Sequence, residues 1–287
     1  MRTPGLISAV VVQGLIAAAL TGAMATASCA STARERSSTT VRFAVPARGE
    51  IAEPRRAPQA APAQRIYLTF DAHETTPDKI AGAYGLLDEL RSRQIRATLF
   101  LTADFIAAAR DVVDTAIADG HEIGSHLKTH IAPDVLRRRQ MLTETWFKAE
   151  LLAAGKLLRE RHGVQIKPFF RMPFGLGSYR AKEQQKILRW AADEGYVHVA
   201  WDVDCYDWVM ARGRGFPLLT AEQLSRTILR EAERRLKGAV VLSHLTRFRP
   251  PGGTGAKEIV AALDQRADKT LFAYGLISDY LAAFGKR

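Results

Sequence analysis

His126 and His130 stand four residues apart, after a short apolar run closed by Gly124 and Ser125. If the chain coils after Ser125, this spacing places both imidazoles on one helical face, where they can hold one metal ion. The same spacing also serves surface and core packing, so the pair takes its meaning from its company. An Asp motif precedes it at Asp71. Arg-Met-Pro at Arg171, Asp-Cys-Tyr-Asp-Trp at Asp204 and Ser-His at Ser243 follow it.

The elements that must position these residues begin at Arg65, where the pattern becomes alternately β and α. Strands are expected over 66–70, 97–101, 122–124, 168–171, 196–203, 239–243 and 270–273. Helices are expected over 77–93, 102–119, 142–161, 181–194, 220–237, 256–263 and 276–284. Thr76, Thr102 and Thr220 serve as N-caps, Pro77 opens its helix, and Gly120, Gly163, Gly195 and Gly238 close theirs. Strands alternating with helices imply parallel pairing and right-handed crossovers. Six or seven such units in about 220 residues suit a (β/α) barrel better than an open doubly wound sheet. No glycine-rich nucleotide loop follows a strand, and Gly213-Arg214-Gly215 reads as a loop. In such a barrel, chemistry collects at the C-terminal strand ends. Asp71 ends the first strand and His126 and His130 follow the third. Arg171 ends the fourth, Asp204 and Asp207 follow the fifth, and His244 ends the sixth.

The 287 residues are 47% hydrophobic and 25% charged, enough for one sizeable α/β core. The net charge is +11, and residues 1–64 carry seven Arg against three Glu, so most of the excess lies in 65–287. That excess suits an anionic partner or is simply a solvated basic face. No basic helix with interleaved aromatics appears, so nucleic acid is not expected as a partner. Two cysteines, Cys29 and Cys205, exclude a disulfide framework and a four-cysteine zinc site. Residues 1–30 read as an export signal: Arg2, an apolar run over 6–20, then small residues with Ala-x-Ala at 23–25 and 25–27. Cys29 offers a lipoprotein processing site as the alternative, against which Thr26 stands where a Leu is usual. Residues 31–64 form a Pro-, Ala- and Arg-rich linker without apolar periodicity. Residues 65–287 form the domain, expected in the periplasm or cell envelope.

Five segments, in order, resemble the motifs of the polysaccharide deacetylase (NodB-homology) family of metal-dependent carbohydrate esterases. They are Thr69-Phe70-Asp71-Ala72-His73, His126-Leu127-Lys128-Thr129-His130, Arg171-Met172-Pro173-Phe174, Asp204-Cys205-Tyr206-Asp207-Trp208 and Val240-Val241-Leu242-Ser243-His244. The resemblance spans 65–284. It implies a distorted (β/α) barrel of about seven parallel strands and hydrolysis of N-acetyl groups on GlcNAc polymers, peptidoglycan being the leading substrate.

The family pattern makes Asp71 the general base, His126 and His130 metal ligands, and His244 the general acid. It has Asp207 orient His244 and Arg171 orient Asp71. The Phe174 N–H faces the oxyanion, and Leu242 and Trp208 hold the acetyl methyl. Tyr179 is a further candidate for sugar contact, or else it covers the barrel rim. His121, on the N-terminal side of its strand, is expected to be structural. One departure matters: the family's third metal ligand is an Asp at the position of Ala72. His73 or Glu74 replaces it, water fills its place, or metal and activity are lost. His73 is the favoured substitute, because a two-residue offset from Asp71 returns it to the same strand face. The implied cofactor is a divalent metal, zinc foremost, with cobalt, nickel or manganese as alternatives. The rival functions are a catalytically silent carbohydrate-binding protein and a polysaccharide O-acetyl esterase.

Overall fold

Along β1 (Gln64–Ala72), Ile66, Leu68, Phe70 and Ala72 alternate with Tyr67, Thr69 and Asp71. One face of the strand is therefore apolar, and the other turns polar toward its C-terminal end. The computed structural model describes residues 64–209, 218–246 and 254–285. The expected export signal, nearly all of the linker, Cys29 and the Gly213-Arg214-Gly215 segment lie outside the described residues. The remaining strands are β2 (Thr98–Leu101), β3 (Glu122–Ser125), β4 (Phe169–Phe170), β5 (Val197–His198), β6 (Val203–Asp204), β7 (Ala239–His244) and β8 (Phe272–Tyr274). All pairs are parallel, in the order β5-β4-β3-β2-β1-β7-β6, with β8 added to β1 at Gln64–Ile66.

The expected barrel is thus a curled half-barrel, and the single strand expected over 196–203 is two. After Val199, whose N–H donates to Phe170 O, the chain leaves the β4 edge. At Asp202, whose N–H donates to Val240 O, it joins the β7 edge. Residues 199–202 therefore cross the gap between the two ends of the sheet, which cannot pair there.

The helices are α1 (Pro77–Ser92), α2 (Ala103–Ala108), α3 (Arg110–Ala118), α4 (Pro133–Arg138), α5 (Glu144–His162), α6 (Ala181–Asp193), α7 (Ala221–Arg234), α8 (Ala256–Arg266) and α9 (Ile277–Phe284). The helix expected over 102–119 breaks at Ala109, whose φ of −119° and ψ of 48° are not helical. Helix α4, opened by Pro133, was not expected. Helix α5 starts where Thr143 Oγ1 accepts the Trp146 N–H, and it ends at Gly163 in the left-handed region.

Two apolar layers hold the sheet. Outside it, Ile66, Leu68, Phe70, Leu99 and Val241 pack against Leu86, Leu90, Ile228 and Leu263 of the helices. Inside the curl, Tyr67, Phe100, Phe169 and Val240 form a floor. Each such buried side chain contributes about 1.5–3 kcal/mol of transfer free energy. Gly124 lies on the inner face, and a Cβ there would meet the Phe169 ring at 2.6 Å. Only glycine lets the floor close beneath the strand ends.

Candidate active site

The strand register sets the polar groups directly above this floor. Asp71 on β1 is the register partner of His244 on β7, and Thr69 is the partner of Leu242. Asp204 on β6 faces Leu242 from the other side. Ser125 pairs with Phe170, so His126 and Arg171 leave neighbouring strands at one level.

Arg171 is wholly buried. Its Nη1 donates to Asp71 Oδ1 and to Thr69 Oγ1, both at 2.8 Å, and its Nε donates to Val199 O at 3.1 Å. The guanidinium lies 4.2 Å over the Phe100 ring, so the floor fixes its plane. Burial pulls its pKa down while the Asp71 carboxylate opposes the shift. Removing either partner of such a pair strands a buried charge, at a cost of about 3–5 kcal/mol.

His244 is held by Asp207. Its Nδ1 lies 2.8 Å from Asp207 Oδ1, and Asp207 Oδ2 accepts from the Ser243 hydroxyl at 2.5 Å and the His244 N–H at 2.8 Å. A carboxylate only accepts, so Nδ1 carries the hydrogen and Nε2 lies on the opposite side of the ring. Burial lowers the His244 pKa, but the charges of Asp207, Asp71 and Asp204 more than offset it, and the net shift is upward. Asp207 moves the other way: burial raises it, the bonds to His244 and Ser243 outweigh that, and it stays ionised.

Three histidines meet beside Asp71. Strand alternation brings His126 to the inner face, where Nδ1 lies 2.9 Å from Arg171 O and therefore donates to it. Its Nε2 is buried without a hydrogen-bond partner, 3.7 Å from Asp71 Oδ2. The helical turn expected after Ser125 is absent: residues 126–132 are a loop, bent by Leu127 at φ 67°. The loop, rather than an i,i+4 helical face, returns His130 to His126. His73 stacks on His130 with ring centroids 3.7 Å apart and planes at 9°. One nitrogen from each of His73, His126 and His130 lies within 4.8 Å of the others.

Ala72 sits in the outer apolar layer, paired with Leu101, so β1 is still extended there and His73 comes back to the Asp71 side. Glu74 lies 3.5 Å from His73 Nε2 and outside the three-nitrogen group. Burial lowers the pKa of His126 and His130, and holds His73 at about 4. All three imidazoles are neutral at pH 7 and offer lone pairs. Three neutral imidazoles, one with a buried unbonded Nε2, fit a borderline divalent metal such as zinc.

These groups open on a cavity of about 470 Å³, lined by Asp71, His73, His130, Phe174, Trp208, Leu242 and His244, and also by Trp201, Asp204, Gly175 and Ser178. That volume accommodates a sugar ring with its acetamide. Phe174, at φ 62°, exposes half its ring at the rim, 4.5 Å from His130. Trp208 Nε1 donates to Asp204 Oδ1 at 3.4 Å.

Tyr179 is not brought to the cavity. It is 4% exposed and packs with Leu127, Met172 and Trp190, because the short turn at Leu176–Ser178 folds it inward beneath the rim. His121 is structural, its Nδ1 accepting the Ala97 N–H at 3.0 Å.

Trp201 and Glu150 went unnoticed in the sequence. Trp201 was hidden inside an apparent strand. At Gly175, with φ 74°, a Cβ would lie 2.5 Å from the Trp201 ring. Glu150 gave a signal: an acid on the buried face of α5, between Phe147, Leu151 and Ala154.

Ionisable groups gathered at the C-terminal strand ends of a parallel half-barrel place the site where barrel-type α/β enzymes carry theirs. Residues 59–199 match the family model described as polysaccharide deacetylase. A chitooligosaccharide deacetylase of Bradyrhizobium sp. is 29% identical over 146 residues, 50% of this chain and 58% of that protein. A peptidoglycan-N-acetylglucosamine deacetylase of Bacillus cereus is 27% identical over 191 residues, 66% of this chain and 57% of that protein. The crystal structure of a peptidoglycan N-acetylglucosamine deacetylase in complex with 4-naphthalen-1-yl-N-oxidanyl-benzamide has the same fold. The TM-score is 0.58 at 19% identity, over 79% of this chain and 92% of that one. Residues 59–199 thus belong to the polysaccharide deacetylase family. The chain spans a little over half the length of these curated relatives.

Proposed function

We propose that the protein hydrolyses the acetamide of N-acetylglucosamine units in a polysaccharide, with peptidoglycan as the substrate. The observation that carries this reading is the register pairing of Asp71 with His244, with three neutral imidazoles gathered beside them. His73, His126 and His130 hold the metal, zinc by the chemistry of its donors, with cobalt, nickel or manganese as alternatives. When bound, such an ion polarises the acetyl carbonyl and eases deprotonation of a water.

The chain's own groups do the rest. Asp71, fixed by Arg171, whose Nη1 also donates to Thr69 Oγ1, takes a proton from the attacking water. Leu242 and Trp208 receive the acetyl methyl, which turns the carbonyl toward the histidines. The Phe174 N–H donates to the oxygen as it gains charge. His244 Nε2 delivers a proton to the departing amine while Asp207 steadies the imidazolium. The N-terminal pattern supports export to the periplasm or envelope, where a lipid on Cys29 would tether the domain through the linker.

Acetate release by purified protein tests this. Release from GlcNAc oligomers or peptidoglycan, lost on chelation and restored by zinc or cobalt, supports it. Release from O-acetylated polysaccharide alone assigns an esterase. No release by folded, metal-loaded protein that still binds the polymer assigns the silent carbohydrate-binding protein.

A further inference from the structure

The loop that carries His126 and His130 is not held by its own secondary structure. Leu127 sits in the left-handed region, which a leucine adopts only when its surroundings impose it. The loop is pinned instead from two helices. Helix α2 offers the N–H groups of Ala103 and Asp104 to the carbonyls of Leu127 and Lys128, at 3.0 and 3.2 Å. Helix α5 takes the Ser125 hydroxyl on Leu151 O at 2.9 Å, and Ser125 Oγ in turn accepts the Leu127 N–H at 3.2 Å. The last tie is Glu150. Its Oε2 accepts both the N–H and the hydroxyl of Thr129, at 2.9 and 2.8 Å.

Glu150 is an unusual residue for that place. It is 7% exposed and shares the buried face of α5 with Phe147, Leu151 and Ala154. Among the described residues no cationic side chain pairs with it, and a buried carboxylate is costly without compensation. Thr129 immediately precedes His130. A bond to its N–H fixes the backbone one residue before the ligand, and a bond to its hydroxyl fixes the rotation of that same residue.

We infer that Glu150 is a positioning residue for the metal loop: it sets His130 against His126 and His73, and so sets the affinity of the site. The inference rests on the proposed three-histidine metal site. The purified full chain, E150A, E150Q and T129V are compared by zinc affinity in a chelator competition and by the visible spectrum of the cobalt form, with circular dichroism checking the fold. We expect zinc affinity in E150A to fall ~10–100-fold, the usual size of an outer-shell effect, with a changed cobalt spectrum. E150Q keeps an acceptor oxygen for Thr129 and should bind close to the unmodified chain. T129V keeps only the N–H bond and should show a smaller loss than E150A. A folded E150A with unchanged affinity and spectrum, while H126A loses the metal, overturns the inference and leaves the metal site standing. An unmodified chain that binds no zinc overturns both. If E150A does not fold, T129V decides: unchanged affinity there overturns the inference.

Discussion

Asp71 and His244 are register partners on adjacent parallel strands. Neighbouring strands lie about 4.8 Å apart, so the proposed base and acid stand side by side on one inner face. Their relationship is a property of the sheet and does not depend on any loop. Each residue also has its own fixed partner, Arg171 for Asp71 and Asp207 for His244. We expect H244A and D71N to lower kcat by ~10²–10⁴-fold, the range of a lost general acid or base. Zinc should remain bound in H244A. Acetate release by folded variants is the measurement, and near-unmodified turnover in H244A removes the acid assignment.

The pH profile should carry the mark of Asp207. The folded-state pKa of His244 is raised, so its proton is kept above the ordinary histidine range and lost only as pH rises through the shifted value. An acid must be protonated, so kcat should fall on the alkaline side at that higher pH. The stabilising contribution has the same sign: full below the unfolded pKa, lost as pH rises through the folded one. D207N removes the largest favourable charge, and the alkaline limb should move to lower pH. A limb that stays in place contradicts the pairing argument.

In the proposed site His73 stands in for a ligand that Ala72 cannot provide. H73A should reduce zinc affinity by more than the ~10–100-fold typical of residues outside the ligand shell, and by more than E150A does. Equilibrium dialysis against a zinc chelator gives the value. Unchanged affinity rules His73 out as a ligand.

Leu242 pairs in register with Thr69 beneath Asp71 and His244 and lines the cavity. L242A enlarges the methyl side of the pocket. Discrimination between N-acetyl and N-propionyl substrates should shrink by ~10-fold or more, the worth of one methylene in a fitted pocket. Paired kcat/KM values test it. An unchanged ratio places the acyl group elsewhere.

Much of this was legible in the chain. Alternation along 66–72 marks a strand with one polar end, and helix caps such as Thr102, Thr220 and Gly163 carry local signals. His126 was found by its spacing from His130, yet the structure places it by strand parity and His130 by a loop. The structure does bring the two imidazoles together, though by a loop and not a helical face, because a positive φ at Leu127 leaves no mark in the sequence. Residues 196–203 read as one strand since Val, His and Trp suit strands equally on either edge. Which edge each joins is set by hydrogen bonds to Phe170 and Val240, residues far away in sequence. Tyr179 was misplaced for a related reason: an aromatic after a glycine-rich turn fits a rim or a core, and packing against Met172 and Trp190 decides.

The central claim is that His73, His126 and His130 together hold the metal beside Asp71 and His244. The most direct measurement is a crystal structure of the zinc-loaded protein with anomalous data at the zinc edge. The account predicts one zinc bonded to all three imidazoles at ~2.0–2.1 Å, on the Asp71 side of the cavity. Zinc held by His126 and His130 with His73 turned away, or no zinc at the site, would contradict it.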